Sequence, residues 1–545
     1  MIRYTNVGLL VAKAKEQNYL HGAVIMTAGV IIMKILGALY KIPLGNMLGD
    51  DGYGLFLQAY YVYSLFLTLA TAGFPVALSR MISAAQACGR QMQARRTYRV
   101  AWWSFFVLGA VCSTFMFIFP DWLADTLIHS PDAALSIQAL APAVLLCCIT
   151  STYRGLTQGY GNMKPTTVSQ ILEVLAKVAA GLALAAYLLK TDCDKPVAVS
   201  GAIFGVTIGS LVALLYMLIY KMRNYRFDMV TEPDVPESAG TIFKNLLSIG
   251  IPIALGSVAL ALINLIDAGL CMTRLQNAVG YTYSHAKTLY GVYGKAQTLF
   301  NLPAAFITPL TISIVPAISA KLVMNARGEA GKISEDSLRI SMAIALPMGV
   351  GLAVLSEPIM KVIYPNAHSS GPLLLCLLGI ASVFVCFSLM STAVLQATGK
   401  ERLTLYSIVA GGLVKIIINW FIVAIPAINI YGAAIGTICC YVTMCVLNLV
   451  FINRSFEKGL SMKNIFIRPA VPSLIMGIIA LAAYYGGMML APSDGRLIMA
   501  LVMCVAIGIA VIVYAVAVIK LRVITTEDMK LIPKGEKIAK LLHMI

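Results

Sequence analysis

The chain has 545 residues, of which 59% are hydrophobic and 12% are charged, and its mean hydropathy is +0.84. A soluble domain carries about 25% charged residues, so the composition excludes an ordinary soluble protein and indicates an all-α polytopic membrane protein. The net charge of +17 lies in short loops between apolar runs, and we therefore expect no nucleic-acid partner.

Apolar runs of about 20 residues, long enough to cross a bilayer as a helix, recur along the whole chain. They predict fourteen transmembrane helices, at residues 20–44, 55–79, 100–120, 135–153, 167–189, 197–220, 243–270, 286–313, 340–360, 372–395, 404–426, 431–452, 469–490 and 497–519. The first run contains two lysines and no small-residue cleavage site follows it, so we expect an uncleaved anchor rather than a signal peptide.

Three lysines lie at membrane depth in the first and eighth predicted spans. Lys34 and Lys41 are seven residues apart, which is nearly two helical turns, so both ammonium groups leave the helix on one face. Lys41 lies near the end of its span and could snorkel to the interface. Lys34 and Lys295 are placed deeper, where an unpaired charge is costly. We predict that all three bind substrate.

A second set of charges lies in predicted spans 5, 7 and 11. Glu173 and Lys177 are four residues apart, so they could neutralise each other on one helix face. Lys415 shares a face with Asn419 but has no acid one turn before it, which predicts a partner on another helix, namely Asp267. Both groups are candidates for a coupling relay, and a purely structural role remains the alternative.

The predicted spans contain five lysines against two clear acids, and this positive surplus favours an anionic ligand over a cationic drug. No HExxH, phosphate-binding glycine loop or GxSxG motif occurs, so we predict no catalytic residue and no cofactor. The twelve cysteines are scattered without metal-ligand spacing, so no metal site is predicted.

Lysine and arginine are distributed unequally between alternate loops. Thirty lie on the side that carries both termini and six lie on the other. Because cytoplasmic loops are enriched in these residues, both termini are predicted to be cytoplasmic.

The chain also repeats itself weakly. An offset of 238 relates Gln158 to Gln396, Thr166 to Thr404, Ser169 to Ser407 and Lys177 to Lys415, and FPVALSR at 74–80 resembles VPAISAK at 315–321. Six spans separate the copies, so they keep the same orientation. We therefore predict two six-helix lobes related by a pseudo-two-fold axis along the membrane normal, with two extra C-terminal helices and the substrate between the lobes.

The domain limits follow from this repeat. We assign residues 1–222 to an N-lobe, 223–242 to a cytoplasmic linker, 243–455 to a C-lobe, 456–520 to the last two spans and 521–545 to a basic cytoplasmic tail.

Several stretches resemble the multidrug/oligosaccharidyl-lipid/polysaccharide exporter superfamily, and more narrowly its stage V sporulation protein B and MurJ-like lipid II flippase group. They are KILGALYKIPLGNMLG (34–49), AGFPVALSRMIS (72–83), RGLTQGYGNMKPTTVSQILEVLAK (154–177), LPAAFITPLTISIVPAIS (302–319), LQATGK (395–400) and GGLVKIIIN (411–419). The resemblance spans most of the chain.

This resemblance implies transbilayer movement of a polyprenyl-pyrophosphate-linked saccharide, above all lipid II, in the cell membrane. It implies that Lys34, Lys41 and Lys295 hold the pyrophosphate where other branches use arginine. Those branches also carry arginines in the second helix, where this chain has Leu67 and Thr68. Another lipid-linked glycan (teichoic, capsular or spore-related) therefore remains an alternative substrate.

Some relatives bind sodium among helices 7, 11 and 12, a position where Lys415 could replace the ion. The energy source, whether a proton, sodium or the membrane potential, stays open. A drug/cation antiporter and a non-transporting scaffold are the further alternatives. We expect a monomer that contacts membrane lipid, with cell-wall synthesis proteins as candidate partners.

Overall fold

The computed structural model describes residues 2–191, 193–224, 234–456, 459–490, 495–521 and 523. Within these residues the chain forms helices and no strand. The α-helices are α1 (Ile2–Thr71), α2 (Phe74–Ala87), α3 (Gln91–Ile118), α4 (Pro120–Ile128), α5 (Ala134–Gly159), α6 (Lys164–Lys190), α7 (Lys195–Asn224), α8 (Ala239–Asn277), α9 (Tyr283–Phe300), α10 (Leu302–Val323), α11 (Arg327–Val354), α12 (Ser356–Ile363), α13 (Gly371–Ala397), α14 (Glu401–Ile422), α15 (Tyr431–Asn453), α16 (Arg468–Leu490) and α17 (Arg496–Lys520). A 3₁₀ turn at Pro131–Ala133 precedes α5, and a π-helical turn at Lys463–Ile467 precedes α16.

The first two predicted spans belong to one long helical segment with two breaks. Pro43 lies inside α1, where it removes a backbone hydrogen bond. Gly49 has φ of 75° and marks a kink within the helix, and Gly73 has φ of 79° and separates α1 from α2. Positive φ values favour glycine because it has no Cβ, so the two breaks occur where the sequence permits them.

Thirteen helical segments of the described chain are long and apolar enough to cross a membrane. The first, Ile32–Ala87, covers residues 32–44 of predicted span 1 and all of predicted span 2, and the other twelve overlap predicted spans 3 to 14 in order. The prediction of an all-α, multi-pass membrane protein is confirmed, and its fourteen spans are consistent with these segments. The limits of span 8 are wrong: residues 286–313 belong to α9 and α10, which part at Asn301 before the Leu302-Pro303 helix start.

The chain divides into two compact units. Unit 1 comprises Met1–Tyr40 and Leu55–Leu265, and unit 2 comprises Lys41–Gly54 and Ile266–Ile545. In unit 1, α3 packs on α5, α5 on α7, α6 on α7, and α2 on both α3 and α5. In unit 2 the same scheme recurs eight helices later, with α11 on α13, α13 on α15, α14 on α15, and α10 on both α11 and α13. This recurrence supports the repeat inferred from sequence.

The last two helices, α16 and α17, pack on each other, and α16 also packs on α11. Residues 225–233 of the predicted linker and residues 522 and 524–545 of the predicted tail lie outside the described residues. The predicted domain limits stay a prediction.

Candidate functional site

Lys295 is buried in unit 2 beside a carboxylate. Its side chain lies on α9, is 2% exposed, and its Nζ is 2.6 Å from Oδ1 of Asp50. The backbone N–H of His368 donates to Oδ2 of the same carboxylate at 2.8 Å. Asp50 follows the Gly49 kink directly, so the break in α1 places this acid next to α9. A buried lysine is therefore neutralised by a partly buried aspartate.

Close backbone approach between α1 and α9 makes this pair possible. A Cβ on Gly291 would collide with the backbone oxygen of Asp50, and a Cβ on Gly54 would lie 2.5 Å from the backbone oxygen of Lys287. A Cβ on Gly45 would lie 3.4 Å from Cε of Lys295. Small residues at helix crossings allow such approach, and here they bring the carboxylate to the lysine.

Aromatic hydroxyl groups surround the pair. The Lys295 Nζ lies 5.3 Å from the centroid of the Tyr364 ring, within the range of a cation–π contact. Tyr53 and Thr298 share a hydrogen bond of 2.7 Å between their hydroxyl oxygens. The buried Tyr364 hydroxyl lies close to the Thr298 side chain. Hydroxyl groups that can donate and accept hydrogen bonds therefore lie near the ion pair.

A second buried group joins α8 and α14 in unit 2. Lys415 Nζ donates to Oδ2 of Asp267 at 2.8 Å, and the Asn419 amide donates to Oδ1 of the same carboxylate. The Cys271 thiol lies 3.8 Å from that Oδ1. Asp267 and Lys415 are about 5% exposed, and Asn419 is fully buried. The prediction that Lys415 pairs with Asp267 on another helix is confirmed.

Helix α9 contacts the surroundings of both groups. Its Tyr293 hydroxyl is 3.1 Å from the Thr437 hydroxyl on α15. The neighbouring Gly436 faces the side-chain oxygen of Asn419 so closely that a Cβ there would overlap it. Lys295 and Tyr293 are two residues apart on α9, so a shift of this helix would change the surroundings of both ion pairs.

In unit 1 the predicted ion pair between Glu173 and Lys177 is wrong. Glu173 is instead bound by Arg154 of α5, whose Nη2 lies 2.7 Å from Oε2, while the Arg154 Nε donates to Ser169 at 2.9 Å. Lys177 lies over the rings of Tyr40 and Tyr60, 5.5 and 5.3 Å from their centroids. An arginine fork from the neighbouring helix outcompetes a lysine one turn away on the same helix.

The remaining predicted substrate-binding lysines lie on α1 before its kink. Lys34 is exposed and Lys41 is half-buried. The helix runs without a break from one to the other, so the shared face predicted from their spacing is retained. Their binding role stays a prediction.

The family model for polysaccharide biosynthesis proteins matches residues 19–321. The chain belongs to this family. Three relatives come from Bacillus subtilis (strain 168). The uncharacterized membrane protein YabM is 27% identical over 530 residues, with 96% of each chain covered. Lipid II flippase MurJ is 26% identical and covers 91% of this chain and 94% of its own.

The third relative, stage V sporulation protein B, is 23% identical over 86% of this chain and 89% of its own length. Among solved structures, lipid II flippase MurJ in an inward closed conformation has a TM-score of 0.64 at 14% identity, covering 92% of this chain and 99% of that chain. At this identity the likeness shows the fold. The predicted membership of the exporter superfamily, in its MurJ and stage V sporulation protein B group, is confirmed.

Proposed function

We propose that this family member is a flippase for a polyprenyl-pyrophosphate-linked saccharide, with lipid II as its substrate, working by alternating access in the cytoplasmic membrane. The relatives support this, since one that matches nearly the whole chain is a lipid II flippase. The protein then acts as a transporter, with no catalytic residue of its own. We further propose that it works as a monomer with both termini in the cytoplasm and with cell-wall synthesis proteins as neighbours.

The buried Lys295–Asp50 pair is the observation that carries the proposal. A lysine in an apolar interior needs an anion, and Asp50 supplies one in this conformation. In the substrate complex the pyrophosphate takes the place of the Asp50 carboxylate on Lys295, with Lys34 and Lys41 as the other basic ligands. Asp50 pairs with Lys295 again when the substrate leaves. Asp50 is thus a counter-ion that the pyrophosphate displaces reversibly.

The Asp267–Lys415–Asn419 group is the proposed coupling element. A fixed ammonium here does the work of a bound cation, and its contact with Asp267 biases the conformational equilibrium. Glu173 and Lys177, at the related place in unit 1, are proposed as the other half of this relay, with Arg154 as a member that the sequence did not indicate.

Flipping of fluorescent lipid II in proteoliposomes tests the proposal. Lys295→Ala removes the buried cation, and we expect the rate to fall by about 30-fold or more, equivalent to about 2 kcal/mol. Lys295→Arg keeps the charge and retains part of the rate. The matched control is Lys361→Ala, which removes a lysine from the exposed pair with Glu357 in the same unit and leaves the rate unchanged.

Asp50→Asn provides the companion measurement. If the substrate competes with Asp50 for Lys295, this variant binds polyprenyl pyrophosphate about tenfold more tightly than the wild type. A wild-type flipping rate in folded Lys295→Ala, or weaker binding by Asp50→Asn, contradicts the exchange of anions.

Another lipid-linked glycan is the second candidate substrate. The chain has Leu67 and Thr68 where other branches carry arginine, and the family is linked broadly to polysaccharide biosynthesis. Both observations support this second candidate. The same proteoliposomes loaded with lipid-linked teichoic, capsular or spore-related precursors distinguish the two, because the true substrate flips fastest and inhibits lipid II flipping.

A further inference from the structure

A cavity of about 780 Å³ lies in unit 1 between the first turns of α3 and the start of α8. Helix α3 contributes Arg95, Arg96, Arg99 and Trp103 to its lining, and the start of α8 with the segment before it contributes Pro236 and Phe243. Among the described residues, no acid lines this cavity. We call it the arginine–aromatic cavity.

The wall formed by residues 234–239 is held in place by hydrogen bonds to α3. The Asp234 carboxylate accepts from the backbone N–H groups of Met92 and Gln93 at 2.7 and 3.0 Å, and so caps the N-terminus of α3. The Arg90 guanidinium donates to the backbone oxygen of Val235 at 2.7 Å. The Gln93 side-chain oxygen accepts from the N–H of Glu237 at 2.7 Å. These hydrogen bonds hold the second wall of the cavity in a defined position against α3.

The cavity is placed at the expected level of lipid head groups. Arg99 is the last charged residue before the apolar part of α3, which begins at residue 100. Trp103 lies one turn deeper and is 57% exposed, and Phe243 is 43% exposed. Tryptophan next to arginine at the end of a span is typical of the membrane–water interface. Cationic and apolar walls in one cavity at this level fit an amphiphile with an anionic head.

We propose that the arginine–aromatic cavity binds an anionic phospholipid. The phosphodiester is held by Arg96 and Arg99, which are exposed and lie three residues apart on one helix face, and the acyl chains lie along Trp103 and Phe243. Guanidinium groups suit this role because their planar forks match phosphate oxygens. The positive-inside rule accounts for arginines at this end of α3, but it does not account for a cavity that is also lined by Trp103 and Phe243 and whose second wall is hydrogen-bonded to α3. The inference stands independently of the transported substrate.

Quenching of Trp103 by brominated lipids tests the proposal in the full-length protein. Replacing Trp102, Trp122 and Trp420 with phenylalanine leaves Trp103 as the sole tryptophan. In bilayers of phosphatidylcholine and phosphatidylglycerol, we expect brominated phosphatidylglycerol to quench Trp103 at a lower mole fraction than brominated phosphatidylcholine. Arg96→Gln with Arg99→Gln lowers this preference by about fivefold per arginine, and the double lysine variant keeps most of it.

The matched control is Arg327→Gln with Arg402→Gln, which removes two exposed charges from the same predicted side of the membrane and leaves the preference intact. Equal quenching by the two lipids in the wild type overturns the proposal, as does an unchanged preference in the double glutamine variant. Displacement of phosphatidylglycerol by polyprenyl pyrophosphate at equal mole fraction also overturns it, because the cavity would then belong to the substrate.

Discussion

At the scale of single residues, the two buried ion pairs of unit 2 call for an explanation other than stability. Removing a lysine and a carboxylate from water costs several kcal/mol, and their attraction often only balances that cost. A chain that needed only a stable interior could use apolar side chains at residues 50 and 295. Charges that are retained despite this cost are better explained by a step in which one partner is exchanged or released.

Replacing Lys415 tests whether its ammonium group takes the place of a bound cation. Removing its ammonium by Lys415→Ala leaves the Asp267 carboxylate and the Asn419 amide oxygen buried without a cation, and hard oxygen ligands of this kind bind alkali and alkaline-earth ions. We expect wild-type flipping to be the same in sodium and in potassium, and Lys415→Ala to require sodium. The measurement is flipping in proteoliposomes with the two ions varied at fixed pH and membrane potential.

The double variant Asp267→Asn with Lys415→Ala is the control, since it lacks the carboxylate and should respond equally to both ions. A strict sodium requirement in the wild type would show that Lys415 does not replace the ion.

The contacts that can be predicted from the sequence differ physically from those that cannot. Lys415 lacked a local acid, and Asp267 was the one deep acid free to pair with it, so elimination identified the contact. Asp50 lies in Gly-Asp-Asp-Gly, which is typical of a polar turn, and no feature of this stretch predicts that the helix resumes after Gly49. The predicted span 4 ends at residue 153 and so leaves Arg154 outside it, although α5 continues through Arg154 to Gly159.

At the scale of elements, the crossing of α1 with α9 decides whether the Lys295–Asp50 pair can form. Hydropathy predicted the spans but not this crossing, because the average over a window is insensitive to a kink at Gly49 or a break at Asn301. Gly54 and Gly291 are sequence signals of close approach, but the chain contains 43 glycines, so these two do not stand out in the sequence.

Gly291→Ala tests the crossing. Its Cβ would overlap the Asp50 backbone oxygen, so the helices must separate, and we expect a loss of about 1–3 kcal/mol in stability. Because Lys295 lies one turn further along α9, flipping should fall as well. Gly351→Ala is the control, since its Cβ meets open space in α11 and alanine favours the helix by about 1 kcal/mol. Thermal unfolding of both variants in detergent compares them, and equal Tm values would argue against a tight crossing.

At the scale of the whole molecule, one packing scheme occurs twice along the chain. Helices α3 and α11 are equivalent in this scheme. Helix α3 packs on α5, which follows the short helix α4, and α11 packs on α13, which follows the short helix α12. The sequence copies are separated by an even number of spans, so α3 and α11 should cross the membrane in the same direction. An inverted repeat, which other transporters use, would make them cross in opposite directions.

Cysteine labelling from each side of the membrane tests this and the predicted orientation together. In a background without the twelve native cysteines, single cysteines replace Gln91 and Asp125, which flank α3, and Arg327 and Lys361, which flank α11; all four positions are exposed. The excess of lysine and arginine on one side places residues 91 and 327 in the cytoplasm. We therefore expect an impermeant maleimide added to intact cells to label residues 125 and 361, and to reach 91 and 327 only after the membrane is opened. External labelling of 327 but not of 91 would reveal an inverted repeat, and external labelling of both would reverse the orientation of the whole protein.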